Sequence, residues 1–183
     1  MPAEPASVVA IDPGTIIMGV AVAQGTPEDW RLLTAFADSR GKDESLLDRF
    51  RHIQDVSYNL VFHHSPSIFL IEQQVSMQGR ARINETAFWL LVLGAVRAFG
   101  ALGREPAVAQ VNPGTLKKWA TGDGNADTVR VARAMLDRFG FWPTREIRGG
   151  KQRLQEDVSM AFVLAQMGLA WLAGEDILLK DVE

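Results

Sequence analysis

The sequence predicts an α/β fold built on one mixed sheet with helices on both faces. Three observations carry this: strand-length runs joined by short turns near the start, a later alternation of helical periods with continuous apolar runs, and no repeat or linker that would divide the 183 residues. At 47% hydrophobic and 22% charged, the composition is that of one ordinary globular domain. A disordered tail over 1–7, a single domain over 8–174 and a C-terminal tail over 175–183 are expected.

Val8 to Ile11 is an apolar run that ends at Asp12-Pro13-Gly14-Thr15, where proline and glycine turn the chain. Met18 to Ala23 reads as a second strand and Trp30 to Phe36 as a third, so the three form an antiparallel meander. Leu46, Leu47, Phe50, Ile53, Val56, Leu60 and Val61 recur at three- and four-residue spacing, which predicts a helix from about Glu44 to His63. Ile68 to Ile71 is apolar without alternation, as in a strand covered on both faces, and it ends in Glu72. Gln73 to Ile83 reads as a polar loop, and an apolar helix follows from about Asn84 to Leu102. Ala107 to Val111 is the fifth strand. Pro113 opens a short helix through Trp119, and the Gly122 to Asn125 turn precedes a helix from about Ala126 to Phe139. Gly140 to Gln152 reads as a second polar loop. The last helix is expected from Leu154 to about Leu172, with Val158, Ala161, Phe162, Ala165 and Leu169 on one stripe.

Several function classes fall away. The chain has no cysteine, hence no disulfide framework, thiolate zinc site or cysteine nucleophile. The longest apolar stretch, Ala87 to Val96, is well short of the roughly 20 residues of a membrane span. The opening MPAEPAS lacks the features of a secretory signal, so a cytoplasmic location without membrane partners is expected. The net charge of -3 hides an asymmetry: Ser76 to Arg153 holds thirteen Lys+Arg against six Asp+Glu, which would offer one basic face to a polyanion.

The chemistry lies in the acids. Asp12 and Glu72 each end an apolar strand, and if those strands are adjacent and parallel both carboxylates emerge at one edge of the sheet. Glu156-Asp157 open the last helix. Clustered carboxylates repel unless a cation compensates them, and oxygen-only ligation suits Mg²⁺ or Mn²⁺. Two such ions would activate a water and stabilise the leaving oxygen of a phosphodiester. Each acid alone also has a plain reading as a turn residue, a solvated strand end or a helix-dipole partner.

Taken in order, Val8-Val9-Ala10-Ile11-Asp12-Pro13-Gly14, Ile68-Phe69-Leu70-Ile71-Glu72-Gln73 and Gln155-Glu156-Asp157-Val158-Ser159-Met160-Ala161 resemble the RuvC family of Holliday junction resolvases, within the RNase H-like superfamily. The resemblance covers about Val8 to Leu172. It implies an RNase H-like fold with a five-stranded sheet, three strands antiparallel and two parallel. The implied enzyme is a crossover junction endodeoxyribonuclease of DNA recombination and repair. It would work as a homodimer on branched DNA, leaving 5′-phosphate and 3′-hydroxyl ends, with a branch-migration motor as a further partner. The implied ligands of two Mg²⁺ or Mn²⁺ ions are Asp12, Glu72 and Asp157. The family's further aspartate, three residues before the last of these, falls on Leu154, and Glu156 is the candidate replacement although helix neighbours point about 100° apart.

Pro113 to Ala126 resembles the family's basic helix and glycine turn, with Lys117 matching a residue used near the DNA backbone. The family's second lysine falls on Thr128, with Arg130 and Arg133 following. The implied DNA contacts are Arg80, Arg82, Lys117, Lys118, Arg130, Arg148, Lys151 and Arg153. Where the family places a junction-wedging aromatic, this chain has Gln74, Val75 and Ser76, leaving Met77 or the Arg80/Arg82 pair as candidates. Trp119 and Trp142 are read as packing residues, and His52, His63 and His64 match no metal spacing. The alternatives are a RuvX/YqgF-like RNA-processing nuclease and a junction-binding protein without cleavage. A phosphate-binding loop of the actin-like sugar kinases also resembles Asp12 to Thr15, but those enzymes need two lobes.

Overall fold

The computed structural model describes residues 5–14, 16–26, 28–39, 43–73, 81–147 and 151–181. Strands β1 (Ser7–Asp12), β2 (Ile17–Gly25) and β3 (Trp30–Ser39) form the expected meander, followed by α1 (Leu46–His64), β4 (Ile68–Glu72), α2 (Ala81–Ala101) and β5 (Val108–Val111). Then come α3 (Pro113–Thr121), α4 (Thr128–Phe139), β6 (Thr144–Ile147), β7 (Lys151–Leu154), α5 (Glu156–Leu172) and β8 (Lys180–Asp181). The main sheet runs β3-β2-β1-β4-β5-β8. β1 pairs antiparallel with β2 and parallel with β4, and β4 pairs parallel with β5. The five predicted strands are thus present in the predicted sense, and Lys180–Asp181 adds a short antiparallel strand on β5.

Period-two alternation sorts the strand side chains into two cores. Val8 and Ala10 of β1, Ala21 and Ala23 of β2, and Ile68 and Leu70 of β4 pack under α5, α3 and α4. Val9, Ile11, Val20, Val22, Phe69 and Ile71 face α1 and α2 on the other side. Both faces of β1 and β4 are therefore covered, which is why their sequences run apolar without alternation. α1 and α2 cross closely at Gly94, where a Cβ would lie 2.0 Å from Ser57 Oγ and 2.4 Å from Gln54 O.

Local chemistry sets the helix ends. Ser45 caps α1, its Oγ accepting from the Asp48 N–H at 3.1 Å. Asn112 caps α3 by accepting from the Gly114 N–H at 2.8 Å with Pro113 in the first turn, and Asp127 caps α4 by accepting from the Arg130 N–H at 2.7 Å. α5 is buried on every side from Val158 through Ala170, beyond the single stripe expected, because α4 and the segment after it cover the flank away from the sheet. There Phe162 meets Trp30, Phe139 and Phe141, the last stacked at 4.0 Å between centroids.

Two expectations are corrected. The polar stretch read as a loop after Gly140 is in part a two-stranded ribbon, β6 against β7, in which Thr144 faces Leu154 and Arg145 faces Arg153. The last helix begins at Glu156, because Leu154 belongs to β7 and the Gln155 N–H donates back to Pro143 O at 3.0 Å, closing the ribbon. Leu46 and Leu47 of the predicted α1 stripe remain exposed. Among the described residues, no helix is long and apolar enough to cross a membrane.

Candidate active site

Asp12 lies two residues beyond Ala10 on β1, and Glu72 two beyond Leu70 on β4, so alternation places both carboxylates on the face that packs under α5. The parallel register sets Ile11 opposite Ile71, leaving Asp12 and Glu72 next along adjacent strands at one edge. α5 then enters over this edge with Asp157 in its first turn. The three acids act on one another electrostatically.

Asp12 is held well above the ordinary aspartate range, first by burial and then by the charges of Glu72 and Asp157. Glu72 is pushed up to about 7 by burial, with the Lys117 ammonium pulling it down and Asp157 adding to the rise. Asp157 is raised by burial and by Glu156, while its own backbone N–H and the Arg145 guanidinium act the other way. Glu72 is only 8% exposed, and its Oε2 has no hydrogen-bond partner among the described residues. A buried carboxylate oxygen left bare among like charges is in an unfavourable state that protonation or a cation would relieve.

A hard divalent ion fits this donor set, since the ligands are carboxylate oxygens with no soft atom among them. Among the described residues no three His, Cys, Asp or Glu side chains are grouped closely enough to hold an ion as they stand. His52, given no role from its sequence spacing, has Nε2 3.0 Å from both carboxylate oxygens of Asp38.

A residue missed in the sequence reading brings α5 onto the edge. Gly19 of β2 is paired directly with Asp12, and a Cβ at Gly19 would lie 1.9 Å from Asp157 O and 2.3 Å from its carbonyl carbon. The bare backbone of β2 thus lets the first turn of α5 approach until Asp157 stands over Asp12. A glycine inside a strand pattern signals such an approach, so the information was available in Met18-Gly19-Val20.

The basic candidates separate by position. Lys117 is half-buried on α3 and acts on Glu72, whereas Lys118 is exposed. Arg130 is engaged, its Nη1 2.8 Å from Asp123 Oδ2. Arg153 is exposed on β7, directly opposite Arg145. Arg82 lies in the first turn of α2 and Lys151 opens β7. Arg80, Arg148, Gln74, Val75, Ser76 and Met77 lie outside the described residues. Trp119 packs on the α5-side core with the Arg138 guanidinium 4.8 Å above its ring, but Trp142, read as a packing residue, is 37% exposed. Leu154 and Glu156 line the same cavity beside Asp157, although Leu154 is not on the helix that the expected same-face pair of acids requires.

Comparison with known proteins bears on this geometry. A family model described as crossover junction endodeoxyribonuclease RuvC matches residues 8–139. A curated relative of that name from Salinibacter ruber (strain DSM 13855 / M31) is 26% identical over 161 residues, 86% of this chain and 82% of its own length. The structure of T. thermophilus RuvC in complex with a Holliday junction substrate superposes with a TM-score of 0.72 at 19% identity, covering 91% of this chain and 94% of that one. The yeast mitochondrial Holliday junction resolvase superposes with a TM-score of 0.62 at 15% identity, covering 94% and 81%. These structural likenesses show the fold, the RNase H-like mixed sheet that the resemblance implied. The family match runs from β1 through α4 and takes in well over half of the sequence, and the chain therefore belongs to the RuvC family.

Proposed function

We propose that this protein is a structure-specific DNA endonuclease that resolves four-way junctions by hydrolysing phosphodiesters with divalent ions, Mg²⁺ or Mn²⁺. The observation that carries this reading is the meeting of Asp12, Glu72 and Asp157 at one sheet edge, with a bare buried Glu72 oxygen, in a chain of the RuvC family. Asp12, Glu72 and Asp157 would hold two ions, and Glu156, exposed in the cavity beside Asp157, would complete the set where the family's further acid is replaced by Leu154. When bound, such ions would supply a water nucleophile at neutral pH and charge stabilisation for the leaving oxygen. Lys117 offsets the negative charge at Glu72 and would neutralise incoming phosphate, with Lys118 exposed beside it on α3. Ionised carboxylates are the form that would bind the ions, so metal binding and protonation of Glu72 would compete as pH falls.

The junction is two-fold symmetric, and a two-fold protein matches it. Trp89, Leu93 and Val96 lie exposed at i, i+4 and i+7 on α2, an apolar stripe suited to pairing two copies.

The test is cleavage of a labelled synthetic four-way junction, with linear duplex and structured RNA as controls, in Mg²⁺, Mn²⁺ and EDTA. Wild type should give paired, symmetric, metal-dependent nicks that vanish in Asp12→Asn. Tight binding without nicks would instead establish a junction-binding protein, and cleavage of RNA alone would establish an RNA-processing nuclease.

A further inference from the structure

The β6–β7 ribbon is fixed at its base by two contacts: the Gln155 N–H donates to Pro143 O at 3.0 Å, and Phe141 stacks on Phe162 of α5. On this ribbon Arg145 stands directly opposite Arg153. Side chains directly opposite in an antiparallel pair share a face with Cβ atoms about 5 Å apart, and like charges there destabilise the pairing. Both arginines are exposed, and neither has a carboxylate within salt-bridge distance among the described residues. The sequence therefore maintains two adjacent guanidiniums that the ribbon's own stability does not favour.

Asp157 offsets Arg145 in part, and the lining of the cavity shows what else could compensate the pair. Arg145 and Arg153 line one cavity of about 230 Å³ together with Ala37 of β3, Leu154, Glu156 and Asp157. At about 30 Å³ per water this is room for roughly eight waters, enough for a phosphodiester group and part of its hydration. The lining thus brings two cations together with the carboxylates of Glu156 and Asp157. A guanidinium fork matches two phosphate oxygens, and two forks side by side can grip one phosphate without a metal.

We infer that Arg145 and Arg153 form a phosphate clamp that holds a nucleic-acid backbone phosphodiester beside the carboxylate edge. The clamp rests on the nuclease reading of that edge. It sits on a ribbon continuous with α5, so a phosphate seated there is positioned relative to Asp157 by only three intervening residues of chain, Leu154 to Glu156. The ribbon also lies beyond the residues matched by the family model, which end at 139.

The test measures junction binding in EDTA by fluorescence anisotropy between about 50 and 200 mM salt, and single-turnover cleavage in Mg²⁺. It compares wild type, R145Q/R153Q and R145K/R153K. A lost phosphate contact lowers the slope of log K against log salt by about 0.9. We expect R145Q/R153Q to lose about one such contact and to cleave more slowly at saturating protein. R145K/R153K should keep the slope and recover only part of the rate, since lysine lacks the fork. An unchanged slope in R145Q/R153Q would overturn the clamp. Slower cleavage at unchanged slope would also overturn it, because the arginines would then act on Asp157 and not on DNA. A wild type that neither binds nor cuts the junction would remove the nuclease reading itself, an outcome distinct from either of these.

Discussion

Replacing Gly19 by alanine puts a methyl group 1.9 Å from Asp157 O and 2.9 Å from Val158 N, and backbone atoms cannot swing aside as a flexible side chain would. Relief to the 3.0 Å below which real Cβ contacts essentially never fall needs about 1.1 Å of movement (3.0 less 1.9). The body of α5 is held by Phe162 among Trp30, Phe139 and Phe141, so the displacement falls on the first turn, where Asp157 sits. A misplacement of this size in a catalytic constellation costs about 100-fold in rate, and the overpacking costs about 1–3 kcal/mol of stability. Gly94→Ala is the matched control, because its Cβ would meet Ser57 Oγ at 2.0 Å and Gln54 O at 2.4 Å, between α1 and α2 and away from the acids. The assay is single-turnover junction cleavage beside thermal unfolding of both variants. Gly19→Ala should lose about 100-fold in rate at unchanged junction affinity, and Gly94→Ala should lose comparable stability with little loss of rate. Equal rate losses at equal destabilisation would refute the reasoning, since Gly19 would then matter only to folding.

The remaining predictions concern the acids. Without divalent ions, the folded state of Glu72 holds its proton up to about 7 against 4.5 unfolded, so its contribution to stability is fully present below pH 4.5 and is lost as pH rises through 7. The difference corresponds to about 3 kcal/mol; Tm in EDTA should fall between about pH 4.5 and 7, and Glu72→Gln should flatten that fall. Addition of Mg²⁺ should raise Tm most at the upper end of this range, where ionised carboxylates favour the cation, and a pH-independent rise would count against ligation at this edge. Asp157→Asn should reduce cleavage about 100-fold or more, while exposed Glu156→Gln should cost less than about tenfold, both read from single-turnover rates at saturating Mg²⁺. The reverse order would make Glu156 the principal acid of α5.

The main sheet was legible because its signals are periodic. Val8 to Ile11 and Ile68 to Ile71 are apolar on both alternating faces, a pattern that a sheet covered by helices on both sides demands, and a single acid ends each run. The same regularity made Asp12 and Glu72 readable as neighbours. β6 and β7 carry no such signal: Thr144-Arg145-Glu146-Ile147 and Lys151-Gln152-Arg153-Leu154 are mostly polar, and the ribbon is a sheet separate from the main one. Only the Gly149-Gly150 pair between them hinted at a hairpin. β8 has two residues and pairs through backbone alone, which no side-chain pattern records.

The start of α5 shows how one such omission alters the chemistry. A helix beginning at Leu154 would place residues 154 and 157 on one face, and the leucine would then read as an acid lost from a pair. Closing the ribbon through Gln155 moves the helix start to Glu156, so residue 154 approaches the cavity from β7, opposite Thr144. Leu154, Glu156 and Asp157 nevertheless line the same space, and Arg145 and Arg153 face it from the ribbon. An acid at 154 would stand beside these two cations and be partly neutralised by them, leaving both less free for phosphate. On the proposed reading an apolar residue there would leave the arginines available, with Glu156 supplying negative charge on the α5 side of the same cavity. Leu154, Arg145 and Arg153 thus line one cavity with Glu156 and Asp157, and on the proposed reading an apolar residue at 154 would separate an ion-binding wall from a phosphate-binding one.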